Sequence, residues 1–313
     1  YETVTISAEE SHGTLRAHTT DNVGLGGNVP EFGFDYKVSG GDDNFLSAAT
    51  LHQGGIVDLP NGEWWGFSML DFRGVGRTTS ISPVTWVDGW PYFGLPNNLG
   101  RTPRTWLKPN VSAKATPVAP YTRSDSFDGK KLQAVWQWNH DADNKMWNLK
   151  GGTFNVTAQP ARDLLWARNM LTQRCIGPVS TATVTLYTKT MKDGDFAGLG
   201  LLNTPYLVIG VKKDGKNQTL VMLDQASKQK KEIAFSGDKV YLRATGDYDE
   251  EWAQVSYSLD GKNFENVSDK MLLSYQMLTF QGSRYALFAF NEKGKKGGVA
   301  KFDDFVMDEP MAD

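Results

Sequence analysis

The feature that most constrains the fold is a series of short, strand-sized segments separated by turn signals, with almost no helical periodicity. Glycine-containing pairs such as Asp214-Gly215 and Asp260-Gly261 separate these segments. This spacing predicts an antiparallel β-sandwich in the C-terminal two thirds of the chain. The predicted strands are Ala182–Thr188, Phe196–Leu202, Tyr206–Lys212, Gln218–Leu223, Lys239–Thr245, Trp252–Ser258, Arg284–Phe290 and Val299–Met307.

The N-terminal part also contains strand and turn signals. Ile56–Asp58 and Glu63–Met69 flank Leu59-Pro60-Asn61-Gly62, where proline fixes one φ and glycine tolerates a positive one, so a hairpin is predicted. Another strand and turn are predicted over Thr79–Pro91. Between Gly100 and Tyr121, four prolines interrupt any strand ladder and apolar residues become sparse, which indicates a linker between two domains.

Composition and charge exclude several classes of protein. The 33 Lys and Arg residues against 36 Asp and Glu residues leave no basic excess for phosphates, so a nucleic-acid partner is not expected. No apolar run is long enough to cross a bilayer as a helix. A single cysteine, Cys175, and four histidines leave no disulfide scaffold and no zinc-spaced cluster.

Two groups of motifs resemble the family 43 glycoside hydrolases, which include exo-acting β-xylosidases and α-L-arabinofuranosidases. One group is similar to the last part of the catalytic β-propeller: Leu51–Asp58, Pro60–Trp65, Gly76-Arg77 and Pro83–Pro91. The other is similar to the C-terminal β-sandwich of that family: Trp136–His140, Trp147, Ala167–Arg174 and Ala300–Phe305. The motifs follow the family's order along nearly the whole chain.

The resemblance implies an all-β chain: a partial five-bladed β-propeller, last blades only, followed by an antiparallel β-sandwich. We expect residues 1–108 to form the C-terminal portion of the propeller, 109–122 a linker and 123–313 the sandwich. Because a blade needs roughly 40–50 residues, the first segment suffices for about two blades. Together with the Tyr1 start, this deficit predicts a processed or truncated chain that needs an N-terminal propeller fragment. Either the missing blades form a separate chain, which is the expected partner, or the N-terminal part has been lost.

The resemblance also implies an inverting mechanism, in which one carboxylic acid protonates the leaving oxygen and one carboxylate activates water. In the family these carboxylates come from earlier blades, so no catalytic acid or base is assigned in this chain. Glu9 and Glu10 are interpreted as part of a solvated turn. The expected substrates are arabinoxylan or xylo-oligosaccharides.

Two residues match active-centre positions of the family. His52 corresponds to a histidine that helps hold a central calcium ion, although a lone histidine beside two glycines is also compatible with a satisfied buried side chain. Arg77 corresponds to an arginine at the propeller axis, where a permanent cation holds a carboxylate ionised and contacts sugar hydroxyls. The alternative for Arg77 is a surface arginine in the preceding glycine turn.

Four further residues are candidates for lining the sugar pocket. Asp71 and Phe72 precede the Arg77 turn, and Trp65 lies on the strand before it, where core packing is the favoured alternative. Tyr285 matches an aromatic residue of the sandwich that closes one side of the pocket in related proteins, but a tyrosine in the sheet core fits the sequence equally well.

The motifs around Trp64-Trp65 and Arg101–Trp106 favour α-L-arabinofuranosidase over β-xylosidase. Two alternatives lack catalysis: a carbohydrate-binding β-sandwich with a propeller remnant, and a module that only braces the propeller. A secreted or periplasmic location is expected for either enzyme activity.

Overall fold

The computed structural model describes residues 51–93, 109, 122–273, 279 and 281–309. The chain divides into two compact units: unit 1 comprises 1–72 and 77–118, and unit 2 comprises 73–76 and 119–313. No helix of the described residues is both long and apolar enough to cross a membrane. The predicted linker and the Glu9-Glu10 turn fall almost entirely outside the described residues and stay predictions.

The described residues of unit 1, together with Gly76, form one four-stranded sheet. Its strands are β1 (Leu51–Asp58), β2 (Trp64–Phe72), β3 (Gly76–Val87) and β4 (Trp90–Tyr92). They lie in the order β1-β2-β3-β4, and the first and last pairs are antiparallel. A four-stranded sheet in chain order is the architecture of a propeller blade.

The predicted hairpin between β1 and β2 is confirmed. The Leu59 nitrogen donates to the Glu63 carbonyl oxygen at 2.8 Å. The Gly62 nitrogen donates to the Leu59 carbonyl oxygen at 2.9 Å. Gly62 has a φ of +86°, and the Asn61 side chain accepts a 3.1 Å hydrogen bond from the Glu63 nitrogen. The Asn-Gly pair therefore closes the turn as its chemistry predicts.

The described residues of unit 2 form sixteen strands and two 3₁₀ turns, Arg73–Val75 and Leu164–Trp166. The strands are β5 (Gln137–Trp138), β6 (Trp147–Leu149), β7 (Phe154–Thr157), β8 (Gln159–Pro160), β9 (Leu171–Arg174), β10 (Val179–Tyr187), β11 (Asp195–Leu202), β12 (Leu207–Asp214), β13 (Asn217–Asp224), β14 (Gln229–Phe235), β15 (Lys239–Asp247), β16 (Trp252–Ser258), β17 (Glu265–Asn266), β18 (Met271–Leu272), β19 (Arg284–Asn291) and β20 (Val299–Asp308).

These strands form two eight-stranded sheets. Sheet I has the order β17-β16-β15-β10-β20-β7-β6, with β18 paired to β16. Sheet II has the order β14-β13-β12-β11-β19-β9-β5, with β8 paired to β19. The main core contains apolar residues of both sheets, including Leu186, Leu199, Leu242, Leu287 and Phe302. The predicted sandwich is thereby confirmed.

The two sheets differ in how they are buried. Every residue of β11 is buried, because a second apolar cluster that includes Leu164 and Phe288 covers the other face of sheet II. Strand β15 of sheet I instead alternates between buried and more exposed residues. The face of sheet I that points away from the core, called here the outer face of sheet I, therefore carries polar and aromatic side chains that solvent reaches.

Candidate active site

The backbone of unit 1 gathers four of the predicted site residues at one end of its sheet. His52 lies near the start of β1 and pairs with Met69, while Asp71 and Phe72 end the neighbouring strand β2. The connection from Phe72 to β3 is short, and Arg77 is the second residue of β3. The side chains of His52, Asp71 and Phe72 lie outside the described part of the structure, so their roles stay predictions.

A register shift follows His52 in strand β1. The pairing with β2 is interrupted between His52 and Gly55, as in a β-bulge. A Cβ atom on Gly54 would lie 1.7 Å from the carbonyl oxygen of Phe67, so only glycine fits at this position. Bulges re-aim neighbouring side chains and are frequent beside active sites. The close approach thus explains the glycine at position 54, whereas a Cβ atom on Gly55 would meet nothing within 4 Å.

Trp65 and Arg77 are the predicted unit 1 residues whose burial is described. Trp65 is 6% exposed, pairs with Val57 on β1, and donates from Nε1 to Glu63 Oε2 at 3.2 Å. This burial agrees with core packing, the alternative that the sequence favoured. Arg77 is half-buried.

The segment just before Arg77 belongs to unit 2. The Ser283 nitrogen donates to the Gly74 carbonyl oxygen at 2.8 Å. Gly76 has a φ of +87°, and a Cβ atom there would lie 2.3 Å from the nitrogen of Gly282. The close approach therefore requires glycine at position 76, and the Gly76-Arg77 motif has a packing reason for its first residue.

Tyr285 lies in the core of unit 2. Its side chain is fully buried, and its hydroxyl donates to the Ser180 carbonyl oxygen at 2.6 Å. Burial raises the pKa of this hydroxyl far above the usual tyrosine value. Since the ring belongs to the main apolar cluster, its position agrees with the sheet-core alternative and offers no described surface to a sugar.

The described residues hold no complete metal centre. They contain no group of three or more His, Cys, Asp or Glu side chains able to hold a metal ion. A calcium ion needs six to eight oxygen ligands, which one histidine does not supply. The described residues therefore give no ligand set for calcium, and no chemical step is derived through it.

One group of polar residues that lines a cavity was not predicted as a site from the sequence. A surface cavity of about 380 Å³ is lined by side chains that include Tyr187, Lys189, Lys301 and Asp303. They lie on different segments of unit 2, so linear spacing does not connect them. The available signal was the alternation of polar and apolar residues along Val299–Asp308.

Comparison with known proteins decides the family. Residues 124–308, more than half of the chain, match the model of the β-xylosidase C-terminal concanavalin A-like domain of family 43 glycoside hydrolases. The chain belongs to this family. The match lies within the region for which the sequence predicts the sandwich, and it confirms the resemblance of the C-terminal motifs.

Relatives extend the similarity into unit 1. A protein of Xylanibacter ruminicola with a provisional β-xylosidase name is 31% identical over 228 residues, which are 71% of this chain and 42% of the relative. The solved structure of a bifunctional GH43-CE protein of Bacteroides eggerthii is 34% identical with a TM-score of 0.69, over 84% of this chain and 34% of that one. The solved structure of an engineered family 43 enzyme with endo-xylanase and exo-arabinofuranosidase activity is 28% identical with a TM-score of 0.71. The match covers 87% of this chain and 56% of that one.

These similarities confirm the predicted all-β fold class of propeller strands followed by a β-sandwich. The chain spans less than two thirds of each of these three relatives.

Proposed function

We propose that this family 43 chain is part of an exo-acting, inverting pentosidase that removes terminal xylose units from xylo-oligosaccharides or arabinoxylan. The observation that carries the proposal is the convergence of His52, Asp71, Phe72 and Arg77 at one end of the unit 1 sheet. β-Xylosidase is the first candidate because the matching family model and the Xylanibacter relative both carry that name.

In the proposed mechanism, Arg77 acts as a positioning residue. Its guanidinium is permanently charged and planar, so it favours the ionised form of a nearby carboxylate base and donates to sugar hydroxyls in a fixed geometry. An ionised base is needed to activate the attacking water, while the general acid must stay protonated until it reaches the leaving oxygen. The proposal places both carboxylates in the complementary N-terminal part of the propeller, which we propose as a separate polypeptide partner.

A second candidate activity is α-L-arabinofuranosidase. It is supported by the Trp64-Trp65 and Arg101–Trp106 versions of the motifs and by the exo-arabinofuranosidase activity of the engineered relative. Xylose and arabinose are both pentose units of arabinoxylan. The choice between the two activities therefore depends on the shape of the sugar pocket rather than on a different reaction.

The proposed location is secreted or periplasmic, where a polysaccharide substrate is accessible. Calcium at the propeller centre is a proposal that rests on the resemblance at His52. Replacement of His52 by alanine in the complemented enzyme should lower turnover by more than about tenfold with an unchanged melting temperature. An unchanged rate would assign His52 to a structural role.

The proposed activity is tested by combining the chain with its complementary propeller polypeptide. We expect kcat/KM for 4-nitrophenyl β-D-xylopyranoside to exceed that for 4-nitrophenyl α-L-arabinofuranoside by about tenfold or more. The opposite ratio would establish the second candidate. A complemented protein that hydrolyses neither substrate would contradict both activities.

A further inference from the structure

The outer face of sheet I carries a pocket with a distinctive chemical lining. The cavity has a volume of about 380 Å³, and the side chains used below are Lys150, Tyr187, Lys189, Thr190, Lys301 and Asp303. The lining combines one tyrosine ring with its hydroxyl, three ammonium groups, one carboxylate and two threonine hydroxyls, those of Thr153 and Thr190. The ammonium groups can bind an anionic group, and the tyrosine ring offers one apolar face.

Strand register places the central residues side by side. Tyr187 on β10 is the direct cross-strand partner of Lys301 on β20, and Lys301 pairs in turn with Asn155 on β7. Direct partners project from the same face of a sheet. Leu186 and Phe302, one residue away, are fully buried, so Tyr187 and Lys301 point toward the outer face.

Two turns hold the rim of the pocket in place. The Lys150 nitrogen donates to the Thr153 carbonyl oxygen at 3.1 Å, and the Thr153 hydroxyl donates back to the Lys150 carbonyl oxygen at 3.0 Å. On the other side, the Thr190 hydroxyl donates to the Val299 carbonyl oxygen at 2.7 Å. The backbone that presents Lys150 and Lys189 is therefore fixed by hydrogen bonds before any ligand binds.

The charge of the lining is unbalanced. Within the described part of the chain, Lys150, Lys189 and Lys301 form no ion pair with a carboxylate, whereas Lys212 and Lys293 each do. Asp303 is the one acidic side chain among the lining residues, and it accepts a 2.8 Å hydrogen bond from the Asp304 nitrogen. The lining thus has two more positive than negative groups. Just outside it, Lys239 lies near Tyr187, and Asp128 and Asp304 lie near Asp303, so one positive charge remains in excess. This excess favours a ligand with negative charge.

Tyr187 supplies the surface for a sugar ring. Its side chain is half-buried, and desolvation together with the nearby Asp303 carboxylate raises the pKa of its hydroxyl. The hydroxyl therefore stays protonated at neutral pH and can donate a hydrogen bond, while the ring presents an apolar face.

We propose that this pocket binds a carboxylate-bearing sugar, namely a uronic acid unit attached to an oligosaccharide. The lysines bind the carboxylate, the Tyr187 ring contacts the sugar face, and Asp303 accepts hydrogen bonds from sugar hydroxyls. A phosphate fits less well, because it offers no apolar face to the Tyr187 ring. The choice of a xylan-derived glycan rests on the proposed function, whereas the recognition of a carboxylated sugar does not.

The test measures binding to the purified full chain by calorimetry at low salt, without any hydrolysis, so it is independent of the proposed enzyme activity. The probes are a xylo-oligosaccharide with one glucuronic acid branch, the same oligosaccharide without the branch, and inorganic phosphate. We expect the acidic oligosaccharide to bind about tenfold or more tightly than the neutral one, more weakly at higher salt, and without competition from equimolar phosphate. Equal affinities, no binding, or equal competition by phosphate would each overturn the proposal.

Variants locate the site. Lys301→Met and Tyr187→Leu should each weaken binding of the acidic oligosaccharide by about tenfold, while Tyr187→Leu should also weaken any binding of the neutral one. Lys231→Met, on the exposed edge strand β14, is the matched control and should leave binding unchanged. Melting curves check that each variant is folded. Folded Lys301→Met and Tyr187→Leu variants that bind like the control would overturn the proposed site.

Discussion

The indole Nε1 of Trp136 donates a 2.8 Å hydrogen bond to Oδ2 of Asp125, and both side chains are buried. Oδ1 of the same carboxylate accepts a 2.8 Å hydrogen bond from the Phe127 nitrogen. The backbone of Asp125 also exchanges two hydrogen bonds with Phe305, at 2.8 and 2.9 Å. Since Trp136 packs against the rings of Phe127 and Phe305, Asp125 ties the beginning of the sandwich to its last strand.

Replacement of Asp125 by alanine should destabilise the sandwich strongly. It leaves the buried Trp136 N–H without an acceptor and removes the side-chain hydrogen bond to the Phe127 nitrogen. We expect the free energy of unfolding to fall by about 2–4 kcal/mol in denaturant titrations. Asp141→Ala, at an exposed position, is the control. Equal stability of the two variants would contradict the role assigned to Asp125.

Tyr285→Phe distinguishes a core tyrosine from one that binds sugar. Loss of the hydroxyl leaves the buried Ser180 carbonyl oxygen without its 2.6 Å donor, so the free energy of unfolding should fall by about 1–2 kcal/mol. The kcat/KM of the complemented enzyme should not change. A large loss of activity at unchanged stability would instead place the hydroxyl in the sugar pocket.

The sequence predicts much of the sandwich because its strands alternate or are separated by clear turns. All eight predicted strands beyond residue 122 coincide with strands of the structure. Strand β14 is not among the predicted strands, although Lys230, Lys231 and Glu232 lie on it. On an edge strand, charged side chains face solvent and protect the open edge, so they carry no alternating signal.

The site could be predicted only in part. The position of His52, Asp71 and Arg77 at one sheet end follows from a hairpin that the sequence indicates. The environment of Tyr285 could not be predicted, because Tyr285–Phe290 is apolar at every position and sheet II is covered on both faces. In such a strand, periodicity does not distinguish one face from the other.

The turn at Asp260 should make the stability of the sandwich depend on acid. Its carboxylate accepts hydrogen bonds from the nitrogens of Asn263 and Lys262, both at 2.8 Å, and these donors lower its pKa well below the usual aspartate value. Because the folded-state pKa is depressed, the stabilisation is present above the unfolded pKa of about 3.9 and is lost as the pH falls below it.

Melting temperatures measured from pH 7 to pH 2 test this dependence. Asp260→Asn should lower the melting temperature at pH 7 and reduce its fall between pH 4 and pH 2. Asp249→Asn, also exposed, is the control and should follow the wild type. If the melting temperature of Asp260→Asn fell with pH as much as that of Asp249→Asn, the Asp260 turn would not contribute to the acid dependence of stability.

Arg77 provides a test of the proposed mechanism in the complemented enzyme. Arg77→Lys keeps the charge but loses the planar donor pair, so kcat/KM should fall by about tenfold or more without a change in pH dependence. Arg77→Met also removes the charge, so the acidic limb of the pH–rate profile should move to higher pH. Identical acidic limbs in wild type and both variants would show that Arg77 does not interact with the base.

The central proposal is that this chain supplies part of a family 43 active site and that the catalytic carboxylates lie in the N-terminal part of the propeller. The most direct measurement is the hydrolysis of 4-nitrophenyl β-D-xylopyranoside by the 313-residue chain, alone and combined with the complementary propeller polypeptide. We predict no hydrolysis by the chain alone and turnover on complementation. Full activity of the chain alone would contradict the account and would make Glu9 and Glu10 the first residues to replace.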